Sequence, residues 1–328
     1  MATVYLDHSG LELRPDGQAL ALYENGIRLR TLPLKLLDRV VVQGDLALSA
    51  GVVTRIVDAG ASLIFLSKRN SRRVATVLGH PHQDARIRLA QYSAVRDPER
   101  RARIADGWVR LKLRNQERLL QAALTQRPDR RKQLTAALNT LAHCREQLRM
   151  MTTTEVSRLM GIEGAAAAAY FPAYVSLFAK SLEFEGRNRR PPRDPVNALL
   201  SLTYTLLHHD AVSIAYAAGL DPYIGFLHAP YHSRESLACD LVEAVRTDAD
   251  QWVHGLFRDR VARVEHFNQD KGACLLGKAG RAIFYEQYEH FAPTRRRYMR
   301  RLARLLVRVI RAGDDLNEYH DRAEITLS

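Results

Sequence analysis

The order of periodicities along this 328-residue chain predicts an α+β protein. A small N-terminal β-rich domain with one short helix comes first, and a larger all-α domain follows. Three observations carry that reading. Short aliphatic and β-branched runs, separated by Gly, Asp or Asn, crowd the beginning of the chain. From Asp84 onward apolar residues recur at helical spacing instead. The 46% hydrophobic content is enough for a sizeable core.

The strand runs are "TVYL", "LALY", "RVVVQG" and "SLIFLS". Between the last two, "SAGVVTRIVDAGA" carries Val52, Val53, Ile56 and Val57 at helical spacing, and Gly60 is a C-terminal stop. The period changes at "GHPHQDARIRLAQY" without a Pro-rich or Gly/Ser-rich linker. The domains are therefore set at 1–83 and 84–328, with a short junction. In the second, "GAAAAAY" is a small-residue helix suited to close packing. "DPVNALLSLTYTLLHHDAVSIAYAAG" opens with Asp194 as N-cap and Pro195 in the first turn, and closes at Gly219. "YMRRLARLLVRVIRAG" puts Leu302, Leu305, Leu306, Val309 and Ile310 on one face and arginine on the other.

Charge narrows the partners. Lys and Arg total 49 against 36 Asp and Glu, a net +13, which favours a polyanion such as nucleic acid. Residues 86–118 hold ten Arg and Lys against four acids, and 291–313 hold eight Arg and no acid. Cys144, Cys239 and Cys274 are far apart, which argues against a disulfide framework and a thiolate zinc site. "MATVYLDHSG" lacks the basic start and apolar run of a signal peptide, and no run is long enough to cross a bilayer. A soluble, cytoplasmic protein with no membrane partner is expected.

The stretch "YIGFLHAPYHSRESLACDLVEAVR", residues 223–246, holds the chemistry. Its helix turns Leu237, Leu241, Val242 and Val245 to the core. Asp240 and Glu243 then share a side away from the centre of that stripe. Such a pair is either solvated or gathered round a cation. His228 precedes the helix in the apolar context "IGFLH". Glu163 stands in "RLMGIEGAAAAAYF", a setting that should bury it, and a buried carboxylate needs a partner such as a metal. One imidazole nitrogen with two or three carboxylate oxygens suits Mg²⁺ or Mn²⁺ better than structural zinc. Spacing leaves open whether these residues meet. A zinc hydrolase built on His228 and His232 is a rival, opposed by Pro230 between them. A catalytically silent nucleic-acid scaffold is another.

The motifs "TLPLKLLDRVVVQGDLALSAGVV", "DAGASLIFLS", "KLRNQERLL", "GIEGAAAAAYF", "RRPPRDPVNALLSLTYTLL" and "GLDPYIGFLHAPYHSRESLACDLVEAVR" occur in this order over nearly the whole length. Together they resemble the CRISPR-associated integrase of spacer acquisition, the family of CRISPR-associated protein one. The pattern departs after "FLSKRNSRRV", where a loop glycine is expected.

The resemblance implies a divalent-metal-dependent DNA endonuclease and integrase of CRISPR adaptation. The 3′-hydroxyl of a short captured duplex would attack a phosphodiester at the edge of a CRISPR repeat. The family's metal ligands fall on Glu163, His228 and Glu243, with Mg²⁺ or Mn²⁺ as cofactor. Asp240 matches a nearby acid of the catalytic set that supports the site or binds the metal directly. Arg189, Arg190 and Arg193 match a basic run near the DNA, and Asn197 and Tyr204 match polar residues of the same cleft. The implied partners are DNA, a second copy paired partly through the β-rich domains, and a dimer of CRISPR-associated protein two.

Overall fold

A computed structural model describes residues 2–7, 10–67, 73–79, 82–151, 155–188 and 191–312. Arg189, Arg190 and residues 68–72 within "FLSKRNSRRV" lie outside these residues. The chain divides into two compact units. One is Met1–Gln83 with Tyr285–His290; the other is Asp84–Phe284 and the chain from Phe291 onward.

The first unit holds eight described strands and one helix: β1 (Ala2–Leu6), β2 (Leu11–Asp16), β3 (Ala19–Glu24), β4 (Ile27–Pro33), β5 (Leu37–Val42), β6 (Leu46–Leu48), α1 (Ala50–Asp58), β7 (Ser62–Leu66) and β8 (Arg73–Val77). They form two four-stranded sheets, ordered β1-β5-β7-β8 and β4-β3-β2-β6. β5 runs parallel to both β1 and β7. It is covered on both faces, which is why its run Val40, Val41 and Val42 is continuously apolar rather than alternating. The hairpin between β3 and β4 turns at Asn25 (φ 50°) and Gly26 (φ 82°), as a primed turn requires. Leu20, Leu22, Val40, Val42, Val52, Ile56 and Leu63 fill the core. Ser49 caps α1, accepting from the Val52 N–H, and Gly60 ends it with φ 76°. A contiguous boundary at residue 83 does not anticipate the return of Tyr285–His290. There Tyr285 stacks on Tyr5 at 4.0 Å, and the Tyr5 hydroxyl donates to Glu289 at 2.6 Å.

The second unit is mainly helical: α2 (Arg86–Arg96), α3 (Pro98–Gln126), α4 (Arg131–Arg149), α5 (Val156–Val175), α6 (Pro195–Ala217), α7 (Ser236–Arg258) and α8 (Lys278–Ala312). It is not all-α. Between α7 and α8 lies an antiparallel hairpin, β9 (Phe267–Asp270) and β10 (Ala273–Leu276). Lys271 (φ 51°) and Gly272 (φ 78°) turn it. Helical periodicity overlooks so short a pair, although "DKG" is a turn signal.

α6 begins where its cap predicts, with Asp194 accepting from the Asn197 N–H. α7 buries Leu237, Leu241, Val242 and Val245. α3 packs against α4, α5 and α7, and α6 packs against α7. α8 carries more than a plain arginine face. Arg296 turns inward to a 2.9 Å ion pair with Asp210 of α6, and Arg295 pairs with Asp248 of α7 at 3.0 Å. Exposed Arg297, Arg301, Arg304, Arg308 and Arg311 make the outward stripe.

Candidate functional site

Four elements of the second unit supply the candidate residues: α3, α5, α7 and the loop that enters α7. That loop must fold back tightly on its own helix. A Cβ on Gly225 would sit 2.7 Å from the His228 carbonyl oxygen and 2.7 Å from the Ser236 carbonyl carbon, so only glycine fits. Asp240, fully buried on α7, ties the loop down. Its Oδ2 accepts from the N–H groups of Phe226 (2.7 Å) and Leu227 (3.1 Å). Its Oδ1 accepts from the His228 N–H (3.0 Å) and faces His228 Nδ1 at 2.7 Å. Both oxygens are therefore committed to the loop. Asp240 positions His228, and the alternative in which it binds a metal directly has no oxygen left to serve it.

An ionised carboxylate can only accept, so the Nδ1 facing Asp240 carries the proton. The neutral imidazole then has its lone pair on Nε2. His228 keeps 26% of its side chain exposed, so the imidazole is not sealed from what enters the site.

Glu243, one turn beyond Asp240, is also buried, with 4% exposure. Solvation is thus not what keeps the two acids on one side of α7. Arg246 pairs with Glu243 Oε1 at 2.6 Å. Lys112 of α3 pairs with Glu243 Oε2 at 2.7 Å, off the line of a good hydrogen bond. Burial alone would raise the Glu243 carboxyl. Arg246, then Lys112, outweigh it and hold it at about 2.

The same Lys112 ammonium makes a short ion pair with Glu163 Oε1 of α5. Glu163 and Glu243, 80 positions apart in the sequence, therefore converge on one positive charge. Glu163 departs from expectation in one respect: 24% of its side chain is exposed. Gly161, Gly164, Ala165 and Ala168 are exposed along the opposite side of α5, so the small-residue run is open there rather than tightly packed.

Glu163, His228 and Glu243 do not form a single three-group coordination set. Among the described residues no three His, Cys, Asp or Glu side chains do. Asp240 holds the imidazole of His228, and the Lys112 ammonium stands between the two carboxylates. The two acids alone still fit Mg²⁺ or Mn²⁺, which are commonly held by one or two protein carboxylates, with water and substrate phosphate filling the remaining positions.

Behind this centre lies a polar network that motif reading missed. Arg187 and Arg246 lie over the Tyr204 ring, 5.4 Å and 4.4 Å from its centroid. The Tyr204 hydroxyl makes a short bond to Asp250 Oδ1, and the Tyr170 hydroxyl donates to Asp250 Oδ2 at 2.9 Å. Burial raises the Asp250 carboxyl, against the opposing pull of Tyr204 and Arg246. A signal for this network was present: Asp250 is seven residues beyond Glu243, on the same helical stripe.

The residues expected near DNA separate. Arg193 is exposed. Asn197 is fully buried and cannot touch DNA. Its Oδ1 accepts from Arg187 (2.6 Å) and the Asn188 N–H (3.1 Å), and its Nδ2 donates to the Gly186 carbonyl (2.8 Å) and Asp194 (2.6 Å). It anchors the loop before α6. The ring and hydroxyl of Tyr204 are both engaged inside the network. His232 is exposed on the loop and joins no three-residue metal-binding cluster among the described residues, so the zinc arrangement does not form there.

Fold and site define an arginine-rich chain with a β-rich unit, a helical unit and a two-carboxylate centre in the latter. The family model described as CRISPR associated protein Cas1 matches residues 4–290. The protein named CRISPR-associated endonuclease Cas1 1 of Thermodesulfovibrio yellowstonii is 35% identical over 306 residues, covering 90% of this chain and 93% of that one. CRISPR-associated endonuclease Cas1 2 of Rhodospirillum rubrum is 33% identical over 309 residues, covering 90% and 88%. The chain belongs to the Cas1 family.

Solved structures share the fold. A CAS1 protein from Thermotoga maritima superposes with a TM-score of 0.82 at 24% identity, covering 94% of this chain and 97% of that one. A casposase bound to integration product gives 0.81 at 20% identity, covering 96% and 92%. A chain of a Cas6-RT-Cas1–Cas2 complex gives 0.81 at 22%, covering 95% of this chain and 35% of that longer one.

Proposed function

We propose that this chain is a divalent-metal-dependent DNA endonuclease and integrase of CRISPR adaptation. It joins a short captured duplex to the array by attack of a 3′-hydroxyl on a phosphodiester. The observation that carries this reading is the convergence of Glu163 and Glu243 on one cation, beside a part-exposed imidazole whose Nδ1 is held by Asp240. The naming of its relatives as Cas1 endonucleases, and the integration product held by a protein of the same fold, support it.

Glu163 and Glu243 would hold Mg²⁺ or Mn²⁺, with His228 Nε2 as the adjoining nitrogen. When bound there the ion supplies Lewis-acid polarisation of the scissile phosphate. His228 serves through one atom in either role open to it, as a ligand or as acceptor of the hydroxyl proton. Both roles need the Nε2 lone pair that Asp240 preserves by holding the proton on Nδ1. Arginines hold the DNA by its phosphates, which suits capture without regard to sequence. The step itself exchanges one phosphodiester for another and is nearly neutral in free energy. It needs no ATP, and the chain has no G-x-x-x-x-G-K-[ST] loop. Holding the hydroxyl in line with the phosphate supplies much of the rate.

A homodimer and a dimer of the Cas2 partner complete the proposed assembly. β4 supports the first: it is an edge strand with Ile27 70% exposed and Leu29 49% exposed, a surface that pairing would cover. The presence of a chain of this fold in a Cas1–Cas2 complex supports the second. No helix among the described residues is long and apolar enough to cross a membrane; the proposed reaction on DNA is what assigns the chain to the cytoplasm.

The test supplies a duplex with free 3′ ends, a repeat target, Mn²⁺ and the Cas2 partner. Joining is expected with the native duplex, and neither a dideoxy 3′ end nor Glu163→Ala should support it. DNA binding should persist in both cases. Joining of the dideoxy duplex, or full joining by Glu163→Ala, overturns the assignment.

A further inference from the structure

Lys112 lies in the motif "KLRNQERLL" on α3. The residue is 8% exposed, and a buried ammonium persists only with partners. Its partners come from two other helices. Nζ pairs with Glu163 of α5 and, at 2.7 Å, with Glu243 of α7. Asn115, one turn further along α3, donates to the Ala244 carbonyl at 3.0 Å and fixes α3 against α7. The ammonium is therefore presented by rigid helices.

The charges at the acids are of both signs. Glu163 and Glu243 bring two negative charges; Lys112 and Arg246 bring two positive ones. Arg246 approaches Glu243 Oε1 and Lys112 approaches Oε2, and among the described residues Lys112 is the cation paired with both acids. A divalent ion held by the same acids would meet that ammonium at close range, and like charges there repel strongly.

Resting on the reading that these acids hold a divalent metal, we infer that Lys112 is the resident cation of the metal-free site. It holds Glu163 and Glu243 together before metal arrives and gives way when metal enters. Metal and ammonium compete for one pair of carboxylates, so each weakens the hold of the other by the same factor. Lys112 is a positioning residue in this account. It keeps α3, α5 and α7 in register without metal, and it makes the site release metal more readily than the acids alone would.

Mn²⁺ binding to the full chain, followed by the electron paramagnetic resonance signal of free Mn²⁺, tests this without reference to activity. Lys112→Met should bind Mn²⁺ roughly tenfold more tightly than the native chain, since a nearby positive charge is gone. Lys112→Arg, which keeps the charge, should bind no more tightly than native. Glu163→Gln should lose binding. Without metal Lys112→Met should melt below the native chain, and Mn²⁺ should raise its melting temperature by more. Unchanged or weaker Mn²⁺ binding by a folded Lys112→Met overturns the inference while leaving the metal reading intact. Absence of binding by the native chain, with Glu163→Gln the same, removes the metal reading itself. Should Lys112→Met fold only with Mn²⁺ present, the inference is supported. If neither it nor Lys112→Gln folds even with Mn²⁺, metal cannot replace the ammonium and the inference falls.

Discussion

Arg246 and Glu243, one turn apart on α7, form a 2.6 Å ion pair in which the carboxylate is 5% exposed and the guanidinium 18%. The guanidinium also lies over the Tyr204 ring, so one residue joins the acidic centre to the buried tyrosine network. A buried pair of this kind is weak evidence for net stability, but removing one member leaves an uncompensated charge.

Arg246→Met should therefore destabilise the chain by about 3–5 kcal/mol. Arg246→Lys should cost less, because the charge remains while the stacking on Tyr204 is lost. Urea unfolding of the two variants and the native chain measures both. Equal stability of the Met variant and the native chain would rule out Arg246 as the counterion that Glu243 requires.

Asp240→Asn keeps the shape of the side chain but places an amide where the loop needs an acceptor. Four donors now converge on the carboxylate, so the loop should loosen and His228 should lose its fixed tautomer. Joining should fall by roughly ten- to a hundredfold, as for other partners that orient a metal-site histidine. Nitrogen-15 spectra of the His228 ring should show the Nδ1 proton no longer held. An unchanged tautomer with unchanged joining would refute the positioning role.

Exposed Arg297, Arg301, Arg304 and Arg308 follow one face of α8. Under the proposed function they and the exposed basic residues of segment 86–118 would hold DNA without regard to its sequence. Affinity should fall by about a thousandfold or more between roughly 50 and 200 mM salt if about six phosphates are neutralised. Changing these four residues to Gln should reduce the slope of log affinity against log salt by roughly one for each phosphate no longer neutralised. A flat salt dependence would exclude the electrostatic account.

His254 on α7 sits edge-on to Phe178, 5.2 Å between ring centroids. Burial holds its pKa below the usual histidine value, partly opposed by a hydrogen bond with the Leu177 backbone. The folded chain therefore prefers the neutral ring, whereas the unfolded chain takes up a proton near pH 6.5. This contribution to stability is complete above about pH 6.5 and is lost as pH falls through the lower folded value. His254→Gln should lose less stability than the native chain between pH 7.5 and 5.5, measured by urea midpoints. Identical losses would remove His254 as the cause.

Much of this protein is legible in one dimension. Local periodicity marks the β-rich beginning, α1, and α6 from its Asp194 cap to Gly219, because caps, stops and apolar stripes act over a few residues. Position in the family motifs singles out Glu163, His228 and Glu243. The hairpin β9–β10 escapes because two four-residue strands have too few positions to show a period. The return of Tyr285–His290 to the first unit escapes because it depends on packing against Tyr5 and Gln43, more than two hundred residues away.

Polar side chains show the same division more sharply. Residue type alone does not tell that Asp240 serves the loop while Glu243 faces Lys112, or that Asn197 is walled in while Arg193 is exposed. Those outcomes depend on which donor lies within about 3 Å, a distance set by the packing of helices far apart in the chain. The sequence by itself determined the order of elements and the acids and imidazole from which a site can be built. Only the tertiary structure decided that an ammonium from α3 stands between carboxylates from α5 and α7, because buried charges settle against whatever opposite charge the packing brings nearest.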